Sequence, residues 1–150
     1  MTTIYKENLS EKTILLSDDK VFYTIEGEGE YVGYPSVFMR LSMCNLTCQG
    51  FASADSPHGC DSFISWSVKN RITNADLLQH LEQEGFEKHL YNGAIWKITG
   101  GEPLVQQPAL LRFLEYMDVE WGWIPRIDFE TNATIMPDKE WVRVGATFTT

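Results

Sequence analysis

Cysteine is scarce in this chain: its 150 residues contain three, and an odd number excludes a fully paired disulfide framework. Basic residues are also few, with 12 Lys and Arg against 21 Asp and Glu and a formal charge of −9. A broad nucleic-acid surface is disfavoured, because phosphate contacts need clustered Lys and Arg and no basic run is present. Long apolar runs are missing too; none approaches the ~20 residues of a membrane span. The opening MTTIYKENLSEK lacks the apolar core of a signal peptide. These absences point to a cytoplasmic protein with no membrane and no nucleic-acid partner, whose thiols stay reduced as ligands. What is present, 43% hydrophobic and 13% aromatic residues, suits one folded domain over 1–150.

All the cysteines fall within residues 40–62, RLSMCNLTCQGFASADSPHGCDS. Cys44 and Cys48 are separated by three residues, and Cys60 follows after eleven more. Three cysteine ligands leave one iron of a four-iron cluster open to an outside molecule, which makes that iron a reaction site. His58, just before Cys60, offers the alternative of a Cys3His zinc module without catalysis. Residues 49–59 are rich in Ser, Asp, Ala, Pro and Gly and read as an irregular insertion in the ligand loop 44–60. Closing such a loop costs on the order of 1 kcal/mol more than closing a short one.

Around this loop, apolar patterns alternate between strand and helix. Residues 1–20 are polar apart from Ile14, Leu15 and Leu16, which read as a lead-in strand or a frayed end. In residues 21–33, Gly27, Gly29 and Gly33 permit positive φ and close backbone approach, but the Walker lysine of a phosphate loop is missing. Residues 36–41, SVFMRL, form a buried strand in which Arg40 must find an anion, either an internal carboxylate or a ligand. Residues 74–84 carry Leu77, Leu78 and Leu81 on one helical face, with Thr73 or Asn74 as cap and Gly85 as stop. His80 falls off that stripe and is expected in solvent; His89 has no evident partner. A strand at 94–99 ends in Gly100, Gly101, Glu102 and Pro103. A second amphipathic helix covers 108–117, and a strand at 127–129 ends in Glu130, Thr131 and Asn132. Glu130 and Asn132 suit either a ligand hydroxyl or a helix cap. The tryptophans, Trp121 and Trp123 among them, are read as packing residues.

Strands alternating with helices predict βαβ units and a mainly parallel sheet. Ligands of such sheets sit at the carboxyl ends of the strands, where the cysteines, TGGE and ETN all fall. Three motifs on one rim make one site. Thr99 offers it a hydroxyl, and Gly100 and Gly101 leave backbone groups free to approach a ligand.

The ordered set FYTIEGEGEYVGYPSVFMRLSMCNLTC, ITGGEPLVQ and FETNAT resembles the 7-carboxy-7-deazaguanine synthases of the radical S-adenosylmethionine superfamily over roughly residues 21–135. That family spaces its cysteines Cys-x3-Cys-x2-Cys; the first spacing is intact here, while Phe51 stands at the usual third place and Cys60 arrives after the insertion. The resemblance implies a partial (β/α) barrel and a [4Fe-4S] cluster on Cys44, Cys48 and Cys60. It implies magnesium on Ser62, substrate contacts at Ile25, Glu26, Gly27, Arg40 and Thr99, and S-adenosylmethionine contacts at Gly101, with Gly100 and Glu130 beside it. The implied reaction is a lyase step in deazaguanine and queuosine biosynthesis. It converts 6-carboxy-5,6,7,8-tetrahydropterin to 7-carboxy-7-deazaguanine with loss of ammonia. Flavodoxin or ferredoxin as electron donor and pairing as a homodimer follow from the same source. A related enzyme making a glycyl radical on a partner shares the cluster but should bind no pterin. Residues 146–150, ATFTT, read as the opening of a strand; the family's later Ser-Pro-Lys segment and C-terminal proline have no counterpart, so a barrel truncated at its C-terminus is expected.

Overall fold

The computed structural model describes residues 8–49 and 59–150. Six strands form one sheet in the order β3-β1-β2-β4-β5-β6: β1 (Thr13–Ile25), β2 (Pro35–Leu41), β3 (Asn70–Thr73), β4 (Ile95–Gly100), β5 (Arg126–Glu130) and β6 (Thr147–Thr149). The pairs β2–β4, β4–β5 and β5–β6 are parallel, while β1 runs antiparallel to β2 and to β3. The parallel part is the expected βαβ arrangement; the antiparallel edge is an addition. β1 covers the lead-in patch and the start of the Gly-rich segment as far as Ile25, with its register broken between Leu16 and Val21.

The helices are α1 (Phe63–Ser67), α2 (Asn74–Gln83), α3 (Phe86–Tyr91), α4 (Gln107–Trp121) and α5 (Lys139–Arg143). Thr73 caps α2 by accepting the Asp76 N–H, as its sequence suggests. Gly85 then takes a left-handed conformation and restarts the chain as α3. Among the described residues no helix is long and apolar enough to cross a membrane.

Strand periodicity separates the two faces of the sheet. Val37, Met39 and Leu41 of β2, Trp96 and Ile98 of β4, and Ile127 and Phe129 of β5 belong to one core with Leu77 and Leu81 of α2 and Leu110, Phe113 and Met117 of α4. Trp96 meets Phe113 edge-on at 5.8 Å, and Phe129 meets Trp141 at 4.9 Å. Each such fully buried side chain contributes about 1.5–3 kcal/mol relative to exposure. Trp121 and Trp123 stack on each other at 5.0 Å, and Trp121 donates to Glu82. His80 is half-buried edge-on to Phe86, not fully solvated, and His89 stacks on Tyr23 at 4.0 Å. Both partners lie on elements that periodicity alone did not reveal.

The alternate residues face the other way and are mostly polar. Phe22, Phe38, Lys97, Asp128 and Thr147 stand opposite one another in a row across five strands. One row further on, Arg40 pairs with Thr99, and Glu130 with Thr149. The helix-covered face is therefore the core, and the opposite face carries the chemistry to the rim.

Candidate active site

A buried cation organises the polar face. Lys97 Nζ lies 2.6 Å from Asp128 Oδ2, 3.0 Å from Glu26 Oε2 and 3.4 Å from Glu130 Oε1, with the lysine side chain wholly enclosed. Burial pushes the ammonium toward neutrality, but its hydrogen bonds to Asp128 and Glu26 and the charges of Asp128 and Glu130 outweigh that and hold Lys97 above its ordinary value. Thr99 donates to Glu130 Oε2 at 2.6 Å, so Glu130 joins the buried cluster to the rim. It caps no helix; Asp138 caps α5.

At the rim itself a second carboxylate ties the motifs together. Glu102 is fully buried. Its backbone N–H donates to the Met43 carbonyl at 2.9 Å, and its carboxylate accepts the Leu104 N–H, the Thr131 hydroxyl and the Asn132 N–H at 2.7–2.9 Å. One side chain thus joins the turn after β4 to the turn after β5, and its backbone holds the segment entering Cys44. The sequence signal was a Glu that sits between Gly-Gly and Pro, but its buried role was not legible from that alone.

The glycines of this turn have a packing reason besides any approach to a ligand. A Cβ at Gly100, where φ is +136°, would collide with the Leu41 backbone, and a Cβ at Gly101 would collide with the Met43 carbonyl and lie 2.9 Å from Cys44 Cβ. Their missing side chains let the cysteine-bearing segment lie directly on the end of β4. Cys44 is half-buried there, with Asn132 Nδ2 3.9 Å from its sulfur. Cys48 is exposed and Cys60 half-buried, and all three thiols are free. Gly59, with φ of +83°, rests on the Cys48 carbonyl, so the chain returns to Cys48 just before Cys60. Among the described residues no three Cys, His, Asp or Glu side chains converge on one point; in kind, however, three free thiols suit a soft iron site. His58 and most of the insertion lie outside the described residues.

Of the remaining expected residues, Arg40 stands beside Thr99 near this rim, whereas Ile25 pairs with Pro35 at the opposite end of the sheet, where the parallel strands begin. Arg40 is half-buried, its guanidinium 5.7 Å from the centre of the Phe22 ring. Glu26 is 2% exposed, its carboxylate shared between Lys97 and the Glu28 N–H. Ile25 is 58% exposed, and nothing stands within 4 Å of a Cβ built at Gly27. Ser62 donates to Asp61. A concavity of about 280 Å³ opens at the ends of β4 and β5, lined by Glu28, Thr99, Gly100, Gly101, Glu130 and Thr149 among others; Ile25, Glu26, Gly27, Arg40 and Ser62 are not in its lining. A larger groove of about 760 Å³ between α4 and α5 contains none of the expected site residues, so size does not mark the chemistry here.

No protein-family model matches the chain. Individual proteins do. It is 33% identical over 116 residues to the 7-carboxy-7-deazaguanine synthase of Thermoplasma acidophilum, covering 77% of this chain and 46% of the relative. With the synthase of Methanopyrus kandleri it shares 35% over 132 residues, covering 80% and 49%, and with that of Rickettsia prowazekii 31% over 121 residues, covering 80% and 45%. The chain resembles the 7-carboxy-7-deazaguanine synthases. It spans about half the length of the synthases it matches. Its fold is that of QueE from Escherichia coli, with a TM-score of 0.62 at 22% identity over 87% of this chain and 58% of QueE. The partial (β/α) barrel expected for the radical S-adenosylmethionine type is therefore the observed fold.

Proposed function

We propose that this chain carries the cluster-bearing part of a 7-carboxy-7-deazaguanine synthase, converting 6-carboxy-5,6,7,8-tetrahydropterin to 7-carboxy-7-deazaguanine with loss of ammonia. The observation that supports this most is the meeting of Cys44, Gly101 and Asn132, three motifs far apart in sequence, at one rim. Cys44, Cys48 and Cys60 would hold a [4Fe-4S] cluster, three free thiols being the soft ligands that iron of this kind takes. When bound, such a cluster would supply the electron for reductive cleavage of S-adenosylmethionine.

The chain's own residues place the reactants. Gly100, Gly101 and Glu130 face S-adenosylmethionine, while Thr99 offers its hydroxyl to the pterin. Arg40 meets the pterin carboxylate, a pairing for which a planar guanidinium is suited. Ile25, Glu26 and Gly27 close the pterin side, with Glu26 acting through its backbone because its carboxylate is engaged by Lys97. Ser62 supplies an oxygen to Mg²⁺. Flavodoxin or ferredoxin delivers the electron, and a homodimer is the assembly proposed.

Anaerobic reconstitution with iron and sulfide tests this reading. A reduced-cluster electron paramagnetic resonance signal that changes on adding S-adenosylmethionine, followed by formation of the deazaguanine from the carboxypterin, is the expected result. Colourless protein carrying one zinc per chain would overturn it.

A further inference from the structure

Three polar side chains beside Cys44 form a closed ring of hydrogen bonds. Asn45 Nδ2 donates to Thr134 Oγ1 at 2.8 Å, Thr134 Oγ1 donates to Asn132 Oδ1 at 2.6 Å, and Asn132 Nδ2 donates to Asn45 Oδ1 at 3.0 Å. The Thr134 backbone N–H donates to the same Asn132 oxygen at 3.1 Å. Every donor in the ring points the same way around it. A carboxamide has two N–H donors on one nitrogen, and its oxygen is an acceptor only. Turning the Asn132 amide over would bring its N–H₂ against the Thr134 N–H and its oxygen against the Asn45 oxygen. Its orientation is thus fixed by two acceptances at one end and one donation at the other. The second Nδ2 hydrogen is left to Cys44 Sγ, 3.9 Å away.

We infer that Asn132 is a positioning residue whose side-chain N–H, aimed by the Asn45–Thr134 ring, donates to the Cys44 sulfur and raises the reduction potential of the cluster that Cys44 ligates. This rests on the cluster proposed above. A donor to a ligand sulfur favours the more electron-rich, reduced state, and hydrogen bonds to the sulfurs are one of the protein's levers on cluster potential. The geometry also separates this role from a purely structural one. The backbone at position 132 is held by Glu102, which accepts its N–H at 2.7 Å whatever the side chain.

Asn132→Asp keeps an oxygen for Thr134 and removes the N–H that faces sulfur. Thr134→Val leaves the amide in place and opens the ring. The experiment is a redox titration of the reconstituted full chain, following the reduced-cluster signal by electron paramagnetic resonance, with iron content and thermal melting measured on each variant. Because the carboxylate of Asn132→Asp lowers the midpoint by its charge alone, the charge-neutral Thr134→Val decides. A midpoint shifted to more negative potential in both variants, with iron content equal to the parent, supports the inference, and an unmoved midpoint in Thr134→Val overturns it. An unchanged or more positive midpoint in Asn132→Asp overturns it, and so does loss of iron from that variant with the midpoint of the remainder unmoved. Failure of the unsubstituted protein to assemble a cluster overturns the functional reading and this inference together, whereas an assembled cluster with unmoved midpoints overturns the inference alone.

Discussion

Lys97 and Asp128 stand directly opposite each other on β4 and β5, their charged atoms 2.6 Å apart and neither side chain more than 1% exposed. Asp128 also accepts the hydroxyls of Thr147 and Thr149 at 2.7 and 3.2 Å, carrying the network into β6. Three carboxylates thus share one lysine, with only Glu130 reaching the rim.

Removing that lysine should be costly. Lys97→Met leaves Glu26 and Asp128 buried without a countercharge, and breaking a buried pair from one side typically costs about 3–5 kcal/mol. Urea unfolding measures it directly. Adding Asp128→Asn to Lys97→Met should cost less than the sum of the two single changes; strict additivity would mean that the pair is not coupled.

Its pH dependence has a definite sign. The folded state holds Lys97 above its ordinary value of 10.5, so its contribution is complete below 10.5 and is lost as pH rises through the raised folded value. The gap in urea midpoint between the parent and Lys97→Met should be constant from neutral pH to about pH 10 and narrow above it. A gap that widened with alkalinity would contradict the assignment.

Glu102→Ala removes the acceptor of two backbone N–H groups and one hydroxyl. Bonds to a charged acceptor are worth about 1.5–3 kcal/mol each and are not additive, so a total loss near 3 kcal/mol or more is expected. Hydrogen exchange should quicken specifically at Leu104 and Asn132, whose N–H groups Glu102 accepts. Iron uptake should fall as well, because the turn after β5, which sets Asn132 beside Cys44, loses its tie to the turn after β4, even though the Glu102 backbone N–H still holds Met43.

The glycines separate into two kinds. Gly101→Ala drives a methyl into the Met43 carbonyl beside Cys44, and overpacking of this sort costs about 1–3 kcal/mol; reduced iron binding should accompany the lower melting point. Gly27→Ala meets open space and should change stability by less than about 0.5 kcal/mol. Any effect of Gly27→Ala on pterin affinity would then report on the ligand and not on the fold.

The central strands and the two long helices were legible because their apolar residues form a short buried run, as in SVFMRL, or keep the helical period, as in Leu77, Leu78 and Leu81. The elements missed, or read only in part, lack that signal. β1 carries Ser17–Lys20 in the middle of its apolar alternation and changes register there. β3 is only the four residues Asn70–Thr73, and α3 depends on Gly85 reversing the chain after α2. Within the site, the three motifs could be placed on one rim from their positions at strand ends. The pairing of Glu26 with Lys97, and of Glu102 with Thr131 and Asn132, could not, because each joins residues tens of positions apart that share no local pattern.

The lysine in IWKIT has one more effect, on how neighbouring strands line up. Sliding β5 by two residues along β4 would keep every apolar side chain on its own face, so the hydrophobic pattern cannot forbid it. The charges do. A slide in one direction sets Arg126 against Lys97, and in the other it leaves Asp128 against Ile95, enclosed and without its cation. A single buried ammonium therefore selects one alignment from several that oil-like packing would accept, and holds the strand ends level where Thr99 and Glu130 must meet.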